Sequence, residues 1–565
     1  MRLIGIDLAG MAPHLQSVGR IKKEWAFSVI LLLLIGWFAV VFSDYPLSSS
    51  LRADGSIKFE KGLQWAQRGS FYYSYPQTDF DPEERGIAHH LSGAMPHLTE
   101  YNQHRVITYP ETFAILVGMW HQYLPDGATG LISILFLILE ILAFLWIARK
   151  VLQLDNRLTF LGGLILLFCS PHYIFSLQLQ EVVMASSLFL VSVALLLKSE
   201  SSYLLWILAG LLAALAFSVR QEVIFPALIL CLLLHLETGE PLDRSVLSPR
   251  RLLRNKKVLI FGLTFLAGFV FYLWYNWILY DAPLGSRYYA VKEMDPEISS
   301  KWHIFKSILV GHFDPARPVL GLLAQMPFLL LFLAMPFWFR KLNREARIIT
   351  LLGLLSAFVI ALASPNDSWG GWGQRFTMVV HGPLILGFLS LLEIGRNREE
   401  RKWLQISALL LVFVTLGGAF WLARFGWKLE KENLRYSTEI QGDLSTLDSQ
   451  PGLAGLPVLS TTDVYYWAGL EYYRRPILQE RANSELQSDV AYYKDRLREK
   501  KLCCLILHDS KIYRPEERKR YTSLQKLLEA NSSGPLQPIH QVEEGTEQFY
   551  LVPLNSEAQQ ALEHP

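Results

Sequence analysis

A carboxylate and an ammonium group stand one helical turn apart in SLRADGSIKFEKGLQWAQRGSF, residues 50–71. Asp54 precedes a pattern typical of an amphipathic helix over 55–67, and Lys58 lies four residues further on, so both side chains can approach one ligand. Ionisable groups close to a membrane are costly and usually have a function. A carboxylate there can act as a general base. At a helix start, however, a carboxylate can equally serve to accept hydrogen bonds from free backbone N–H groups, and a lone Lys can equally be a solvated surface residue.

Further charged and aromatic residues interrupt or border later apolar runs. They are Tyr109, Glu181, Arg220, Glu222, Trp372 and Arg375. Arginines bind phosphate through paired hydrogen bonds, carboxylates accept hydrogen bonds from hydroxyls, and aromatic rings can stack on a sugar or lie along a lipid chain. Together these residue types predict a site for a charged lipid and a sugar.

Each of these positions also has a purely structural interpretation. A lone Glu181 at the entrance of an apolar run is typical of an interfacial helix start, and Arg220 and Glu222 can form a structural ion pair. The turn WGGWGQRF, residues 369–376, can be a tight interfacial loop anchored by its tryptophans. The residue types alone leave these alternatives open.

The composition indicates a membrane protein. Of the 565 residues, 51% are hydrophobic and 18% are charged, against about a quarter charged in soluble domains, and the mean hydropathy is +0.24. A net charge of +2 is too small to indicate a nucleic-acid-binding protein. The four cysteines show no zinc-ligand spacing and no disulfide framework.

Apolar runs that are long enough, or nearly long enough, to cross a bilayer predict about eleven transmembrane helices. They are Trp25–Ser43, Leu131–Ile147, Leu158–Ser170, Val182–Leu197, Tyr203–Val219, Val223–Leu234, Val258–Leu279, Val319–Phe339, Ile348–Ala363, Val379–Leu392 and Leu404–Ala423. The predicted fold is therefore a mostly α polytopic domain over residues 1–424. Its first large loop, 44–130, would carry surface helices, the second of them within Asn102–Pro125 and opened by Tyr109-Pro110.

The basic segments predict the orientation of these helices. RIKKEW, ARK, RRLLRNKK, FRKLNREAR and GRNREERK all fall on one side if the spans alternate. By the positive-inside rule that side is the cytoplasm, so the N-terminus would be inside and the candidate site outside. Residues 425–565 have a soluble composition with alternating strand and helix patterns, which predicts a small extracytoplasmic α/β domain.

Four motifs, in this order and on one predicted side, resemble those of the GT-C superfamily of integral-membrane glycosyltransferases. ADGSIKFEKGLQWAQRG resembles the Asp-led surface helix of that superfamily, and ITYPETFAILVGMWHQYLP resembles its proline-containing surface helix. SVRQE is similar to an Arg-x-Glu turn, and WGGWGQRF to a W-G-x-R-Y turn. The superfamily includes protein O-mannosyltransferases and enzymes that transfer aminoarabinose to lipid A.

The resemblance implies specific roles and shows specific departures. Asp54 would be the general base that deprotonates an acceptor hydroxyl, and Lys58 would steady the leaving phosphate or the donor headgroup. The superfamily often has Asp-Glu where this chain has Asp54-Gly55, a second proline where it has Glu111, and Asp where it has Glu181. These differences leave both a divalent metal and the identity of the substrate open.

The resulting functional prediction is a glycosyltransferase that moves a hexosyl or pentosyl group, with inversion, from a polyprenyl-phosphate donor to a hydroxyl of a glycolipid, polysaccharide or protein acceptor. It would lie in a bacterial inner membrane, contact membrane lipids and bind no nucleic acid. A transporter or flippase of lipid-linked glycans is the alternative, although it should place polar residues at mid-membrane and show repeated halves. The third hypothesis is a non-catalytic membrane scaffold whose tail binds a partner.

Overall fold

A computed structural model describes most of the membrane-embedded part of the chain and the strands of the C-terminal part. The described residues are 25–51, 54–73, 98–101, 104–198, 202–236, 255–288, 298–312, 319–334, 339–365, 374–396, parts of 413–448, and strands between 458 and 553.

Helices form almost all of the membrane-embedded part. They are α1 (Trp25–Asp44), α2 (Asp54–Arg68), α3 (Glu111–Tyr123), α4 (Leu131–Trp146), α5 (Asn156–Phe168), α6 (His172–Ser176), α7 (Glu181–Lys198), α8 (Tyr203–Val219), α9 (Ile224–Leu236), α10 (Lys256–Tyr280), α11 (Ile298–Leu309), α12 (Leu322–Gln325), α13 (Arg344–Ala363) and α14 (Met378–Arg396).

Six helical segments in the described part are long and apolar enough to cross a membrane. They are Trp25–Asp44, Asp126–Val151, Glu181–Lys198, Lys256–Tyr280, Arg344–Ala363 and Arg375–Ile394, and three shorter apolar helices are Asn156–Phe168, Tyr203–Val219 and Gln221–Leu236. The outward faces of α1 and α10 carry large exposed apolar side chains such as Leu32 and Phe271. Such faces are stable in lipid and costly in water, so the chain is an integral membrane protein.

The predicted run Val319–Phe339 is wrong as a single helix. The structure instead has a short strand at its start, α12, and a 3₁₀ helix over Pro327–Ala334. Pro327 has no backbone N–H and disrupts a preceding helical turn, so the apolar run cannot continue as one α-helix. The run Leu404–Ala423 lies largely outside the described residues, and the count of about eleven spans therefore stays a prediction.

The predicted amphipathic helix after the first span is confirmed as α2, which ends at Gly69 in a left-handed conformation, φ +65°. α2 packs closely on α3: a Cβ at Gly62 would lie 2.6 Å from Val117 Cγ1, and a Cβ at Gly118 would lie 2.6 Å from the Gly62 carbonyl oxygen. α3 begins after Pro110, as predicted, and the chain before it is extended in a small antiparallel sheet. The strands of that sheet are β1 (Tyr72–Tyr73), β2 (Leu98–Tyr101) and β3 (His104–Ile107), in the order β1-β3-β2.

The C-terminal part contains a five-stranded mixed sheet. After β4 (Gly311–His312) and β5 (Val319–Leu320), which pair with each other, the strands of this sheet are β6 (Val458–Ser460), β7 (Ile477–Gln479), β8 (Cys503–Asp509), β9 (Gln537–Gln541) and β10 (Glu547–Pro553). Its order is β7-β6-β8-β10-β9, with β6 parallel to both of its neighbours. Parallel neighbours need long crossover connections, which fits the predicted helices. Those helices lie outside the described residues, so the α/β class and the boundary at residue 425 stay predictions.

Candidate functional site

α2 presents three polar residues on one face to the ends of several membrane helices. Asp54, Lys58 and Lys61 are four and three residues apart, which is the spacing of one helix face. Arg375, at the start of the segment that leads into α14, donates a hydrogen bond from Nη1 to Asp54 Oδ2 at 2.7 Å. Both side chains are partly exposed, Asp54 at 19% and Arg375 at 26%, so this ion pair is open to a ligand.

Lys58 is buried beside that pair. Its Nζ lies 2.5 Å from Glu181 Oε2, also donates to Gln180 Oε1, and lies 4.7 Å from the centre of the Tyr109 ring. Burial lowers the pKa of Lys58, and the charges of Glu181 and Asp54 oppose that shift. The ammonium group is therefore held in place by a carboxylate, an amide oxygen and an aromatic face.

Glu181, the first residue of α7, also accepts from Arg220 Nη1 at 2.9 Å. Arg220 follows α8, donates from Nε to Glu222 Oε1 at 2.6 Å, and places its guanidinium 5.3 Å from the Phe376 ring centre. Its side chain is 2% exposed, so two carboxylates and a ring enclose its charge. Arg220 and Glu222 thus form the ion pair of the structural interpretation, while Glu181 joins that pair to Lys58.

The structure brings together all of the predicted site residues that it describes. Trp372 lies outside the described residues. A further cation, Arg287, was missed by the sequence reading. It is half-buried in the loop after α10, and desolvation together with the charge of Arg220 lowers its pKa, while Glu222 and Glu181 act in the opposite direction. The signal that could have found it was an arginine between the predicted spans Val258–Leu279 and Val319–Phe339, a loop that alternation of the spans places on the same side as the candidate site.

The charges of the site nearly cancel. Lys58, Arg220, Arg287 and Arg375 supply +4, and Asp54, Glu181 and Glu222 supply −3, which leaves +1. A site with a small positive excess and arginines from separate elements suits a phosphate monoester or diester.

Close packing around Gly55 explains why the residue after Asp54 is not acidic in this chain. A Cβ on Gly55 would lie 2.9 Å from the Ser50 carbonyl oxygen and 3.2 Å from the Leu179 backbone nitrogen. Because both contacts are with backbone, neither neighbour can turn aside. The start of α2 therefore packs directly on the segment before α7, and this close approach positions Asp54 beside Arg375.

We expect Gly55→Ala to displace the start of α2 by a few tenths of an ångström and to destabilise the protein by about 1–3 kcal/mol, because overpacking against backbone forces such a shift. The measurement is thermal unfolding in detergent, with Gly36→Ala as control, since a Cβ there would meet nothing within 4 Å. Equal stability of the Gly55→Ala and parent proteins would contradict the packing described above.

A second buried ion pair fixes the middle of α2. Lys61 Nζ lies 2.8 Å from Glu111 Oε1 and donates to the carbonyl oxygens of Ile107 and Tyr109. Ser286 donates to the same Glu111 oxygen at 3.1 Å. The pair joins α2, α3 and the loop after α10, so it anchors the surface helices beside the site.

The buried carboxyl group of Glu60 predicts that the stability of the protein depends on pH. Burial raises the pKa of Glu60 to about 8, although the Tyr73 hydroxyl donates to its carboxylate and opposes the shift. An exposed Glu has a pKa of about 4.3, so the folded state keeps a proton that the unfolded chain loses between about pH 4 and pH 8. The stabilising contribution is complete below about pH 4 and is lost as the pH rises to 8. Thermal unfolding should show lower stability at pH 9 than at pH 5, and Glu60→Gln should reduce that difference. An equally large difference in Glu60→Gln would contradict this role of Glu60.

A second polar cluster lies inside the helix bundle. Glu140, in the middle of α4, is fully buried and its Oε1 lies 2.9 Å from His172 Nε2. Ser186 donates to the same oxygen at 2.6 Å, and the rings of His172 and His381 are 5.4 Å apart. Pairing within the protein makes a carboxyl group at this depth tolerable, and an isolated Glu in an apolar run offered no sign of its partners.

The site residues all stand at one end of the membrane helices, and basic residues stand at the other end. Arg220 follows α8, Glu181 begins α7, and Arg375 precedes α14. The opposite ends carry Arg149, Lys150, Lys198, Lys256 and Arg344.

The described residues offer no group of three or more His, Cys, Asp or Glu side chains that could hold a metal ion. Glu181 is already enclosed by two cations, and Asp54 is paired with Arg375. A divalent metal therefore has no evident set of ligands in this part of the chain, and its use stays open.

No protein-family model and no curated protein matches this chain. It resembles solved structures of ArnT from Cupriavidus metallidurans, in the apo state (TM-score 0.48) and bound to undecaprenyl phosphate (0.46), at 12% identity over 92% of this chain and 97% of that chain. It also resembles the Archaeoglobus fulgidus oligosaccharyltransferase (TM-score 0.44, 12% identity, 95% of this chain and 75% of that chain). A third similar structure is that of the arabinofuranosyltransferase AftD from Mycobacteria, with a TM-score of 0.44 and 13% identity over 96% of this chain and 40% of that chain.

These structures include an oligosaccharyltransferase and an arabinofuranosyltransferase, and the resemblance to the GT-C superfamily stated from the sequence motifs stays a resemblance. At these identities and TM-scores it assigns no activity, donor or acceptor to this chain.

Proposed function

We propose that this protein is an inverting glycosyltransferase that moves a hexosyl or pentosyl group from a polyprenyl-phosphate donor to an acceptor hydroxyl outside the cytoplasm. The observation that carries the proposal is the partly exposed Asp54–Arg375 pair beside the buried Lys58–Glu181–Arg220 cluster, at the ends of membrane-spanning helices. A carboxylate and several fixed cations at this depth suit a substrate whose phosphate lies at the membrane surface and whose chain lies in the lipid.

In the proposed reaction, Asp54 accepts the proton of the acceptor hydroxyl. The acceptor oxygen then attacks the anomeric carbon of the donor sugar, and the bond between that carbon and the phosphate oxygen breaks, with the electron pair leaving on the phosphate. Positioning the base on the face opposite the phosphate produces inversion. The products are the glycosylated acceptor, polyprenyl phosphate and a protonated Asp54.

The cations of the site would hold the departing phosphate. Arg375 is the most suitable, because it is partly exposed and paired with a single described carboxylate, and Arg287 lies near it without a salt bridge to another described residue. Arg220 is the alternative that the sequence offered for this role, and its pairing with two carboxylates favours Arg375. Lys58 can add a single ammonium charge, and Tyr109 can shield it from water.

The proposed orientation has a cytoplasmic N-terminus and an extracytoplasmic site and tail, in a bacterial inner membrane. Its support is the distribution of charge, since the helix ends opposite the site carry the lysines and arginines. We expect a reporter enzyme that requires an extracytoplasmic location to be active when it is fused after Pro565, and a reporter that requires the cytoplasm to be inactive there. Activity of a cytoplasm-only reporter at that position would contradict the orientation.

The test of the function is donor turnover by purified protein in lipid nanodiscs. Polyprenyl phosphate carrying radiolabelled hexoses or pentoses would be mixed with cell-envelope extract as a source of glycolipid, polysaccharide and protein acceptors. We expect label to pass to an envelope component, with release of polyprenyl phosphate. Movement of the intact lipid-linked sugar across liposome membranes without transfer would instead support the transporter alternative.

A further inference from the structure

The segment that leads to the C-terminal strands reaches the candidate site through two glutamines. Gln178 Nε2 lies 3.2 and 3.3 Å from the two carboxylate oxygens of Glu430, and Gln180 Nε2 donates to Gln178 Oε1 at 3.1 Å. Gln180 Oε1 in turn accepts from Lys58 Nζ. These four side chains form a continuous hydrogen-bonded line from the C-terminal segment to α2.

The line has only one internally consistent direction. An ammonium group can only donate and a carboxylate can only accept, so each end dictates the orientation of the amide next to it. Lys58 requires the oxygen of Gln180, which leaves the Gln180 amino group to donate to Gln178. Glu430 requires the amino group of Gln178, which leaves the Gln178 oxygen to accept. Both ends therefore specify the same orientation of both amides.

The surroundings of the line are rigid. Gln180 and Glu430 are each 2% exposed, and the Gln180 backbone nitrogen donates to Ser133 Oγ of α4 at 3.0 Å. Three residues before Glu430, Trp427 lies against Trp37 of α1, with ring centres 4.7 Å apart. The main chain near both ends is thus held by contacts outside the line.

From these contacts we infer that Glu430, through Gln178 and Gln180, positions the Lys58 ammonium group in the site. The inference rests on the proposed function for its effect on a lipid phosphate, but not for its effect on Lys58. An ammonium group in place of the carboxylate would require the Gln178 oxygen, which turns the Gln178 amino group toward Gln180. Gln180 would then either turn its oxygen away from Lys58 or present its amino group to that of Gln178, so one of the two acceptors that hold the ammonium group is lost or weakened.

The expected size of the effect follows from the loss of a hydrogen bond to a charged group, which corresponds to about a tenfold change in an equilibrium constant. Glu430 and both glutamines are positioning residues, because the line reaches a substrate only through Lys58. A change that merely loosened the packing of the C-terminal segment would not depend on which way the amides point.

The test uses the full-length protein in nanodiscs with two readouts: affinity for polyprenyl phosphate, and the rate at which acetic anhydride modifies Lys58, measured by mass spectrometry. Glu430→Lys should weaken affinity and speed Lys58 modification by about tenfold, whereas Glu430→Leu, which leaves Lys58 to orient both amides, should change both readouts less. Glu430→Gln keeps an acceptor oxygen and should stay close to the parent protein in both. The double variant Gln178→Glu with Glu430→Lys should recover both readouts, because the new carboxylate accepts from Gln180 and pairs with the new ammonium group.

Trp427→Phe is the matched control, since it disturbs the same helical segment without touching the line. It should lower the unfolding temperature and leave both readouts unchanged. Unchanged Lys58 modification in Glu430→Lys, or failure of the double variant to recover it while folded, would overturn the inference. If no variant or parent binds polyprenyl phosphate but Lys58 modification follows the expected pattern, the positioning line stands and the proposed function fails.

Discussion

Asp54→Asn should reduce sugar transfer by a factor of about 100 to 10,000, which is the usual cost of losing a general base. Asparagine is nearly the same size as aspartate and still offers an oxygen to Arg375, whose Nη1 lies 2.7 Å from Asp54 Oδ2. It cannot accept a proton from a hydroxyl at neutral pH. The variant should therefore keep its fold and its affinity for polyprenyl phosphate while losing turnover.

The control for this substitution is Asp44→Asn. Asp44 is an exposed carboxylate at the end of α1 that accepts a long 3.3 Å hydrogen bond from Ser43, so the loss should be much milder. The measurement is single-turnover transfer with saturating donor, because this separates chemistry from binding. Transfer by Asp54→Asn at close to the parent rate would remove Asp54 from the role of base, and Glu181 and Asp44 would be the next carboxylates to test.

Local sequence patterns predicted the elements that carry the site. The amphipathic spacing after the first span gave α2 to within a residue at each end, and Gly69 marked its end because glycine adopts the left-handed conformation at little cost. The order of apolar and basic segments predicted that Glu181, Arg220 and Arg375 stand at the same ends of their helices. Such features depend on residues close together in the chain.

Pairing across the site could not be predicted, because it depends on how distant segments pack. Asp54 and Arg375 are 321 residues apart, and their side-chain contact follows from the packing of α2 against the helix ends. Lys61 is buried because Glu111, 50 residues further along the chain, and two carbonyl oxygens satisfy it. The Glu140–His172 contact was missed for the same reason.

Glu181→Gln should produce the largest loss of stability among the site variants. Glu181 lies 2.5 Å from Lys58 Nζ and 2.9 Å from Arg220 Nη1, and all three side chains are at most 2% exposed. With the carboxylate, these three residues carry a net charge of +1; with a neutral amide, two buried cations share one oxygen and the charge becomes +2. Breaking a buried ion pair by removing one partner typically costs about 3–5 kcal/mol.

Thermal unfolding in detergent measures this effect, and Glu222→Gln is the matched control. Glu222 also pairs with Arg220, but its side chain is 14% exposed, so water can partly compensate the lost charge and the decrease should be smaller. Equal decreases in the two variants would mean that burial does not set the energy of the cluster.

A second substitution separates charge from packing in the Glu181→Gln protein. Lys58→Met has a similar apolar stem and removes the cation that Glu181→Gln leaves without a carboxylate. If the loss arises from uncompensated buried charge, adding Lys58→Met should recover part of the stability, although Lys58→Met alone should destabilise because it leaves Glu181 with one cation fewer. If the double variant is less stable than Glu181→Gln alone, the cluster is held by hydrogen-bond geometry rather than by charge balance. Lys58 would then matter to the fold of α2 as much as to any phosphate that it contacts.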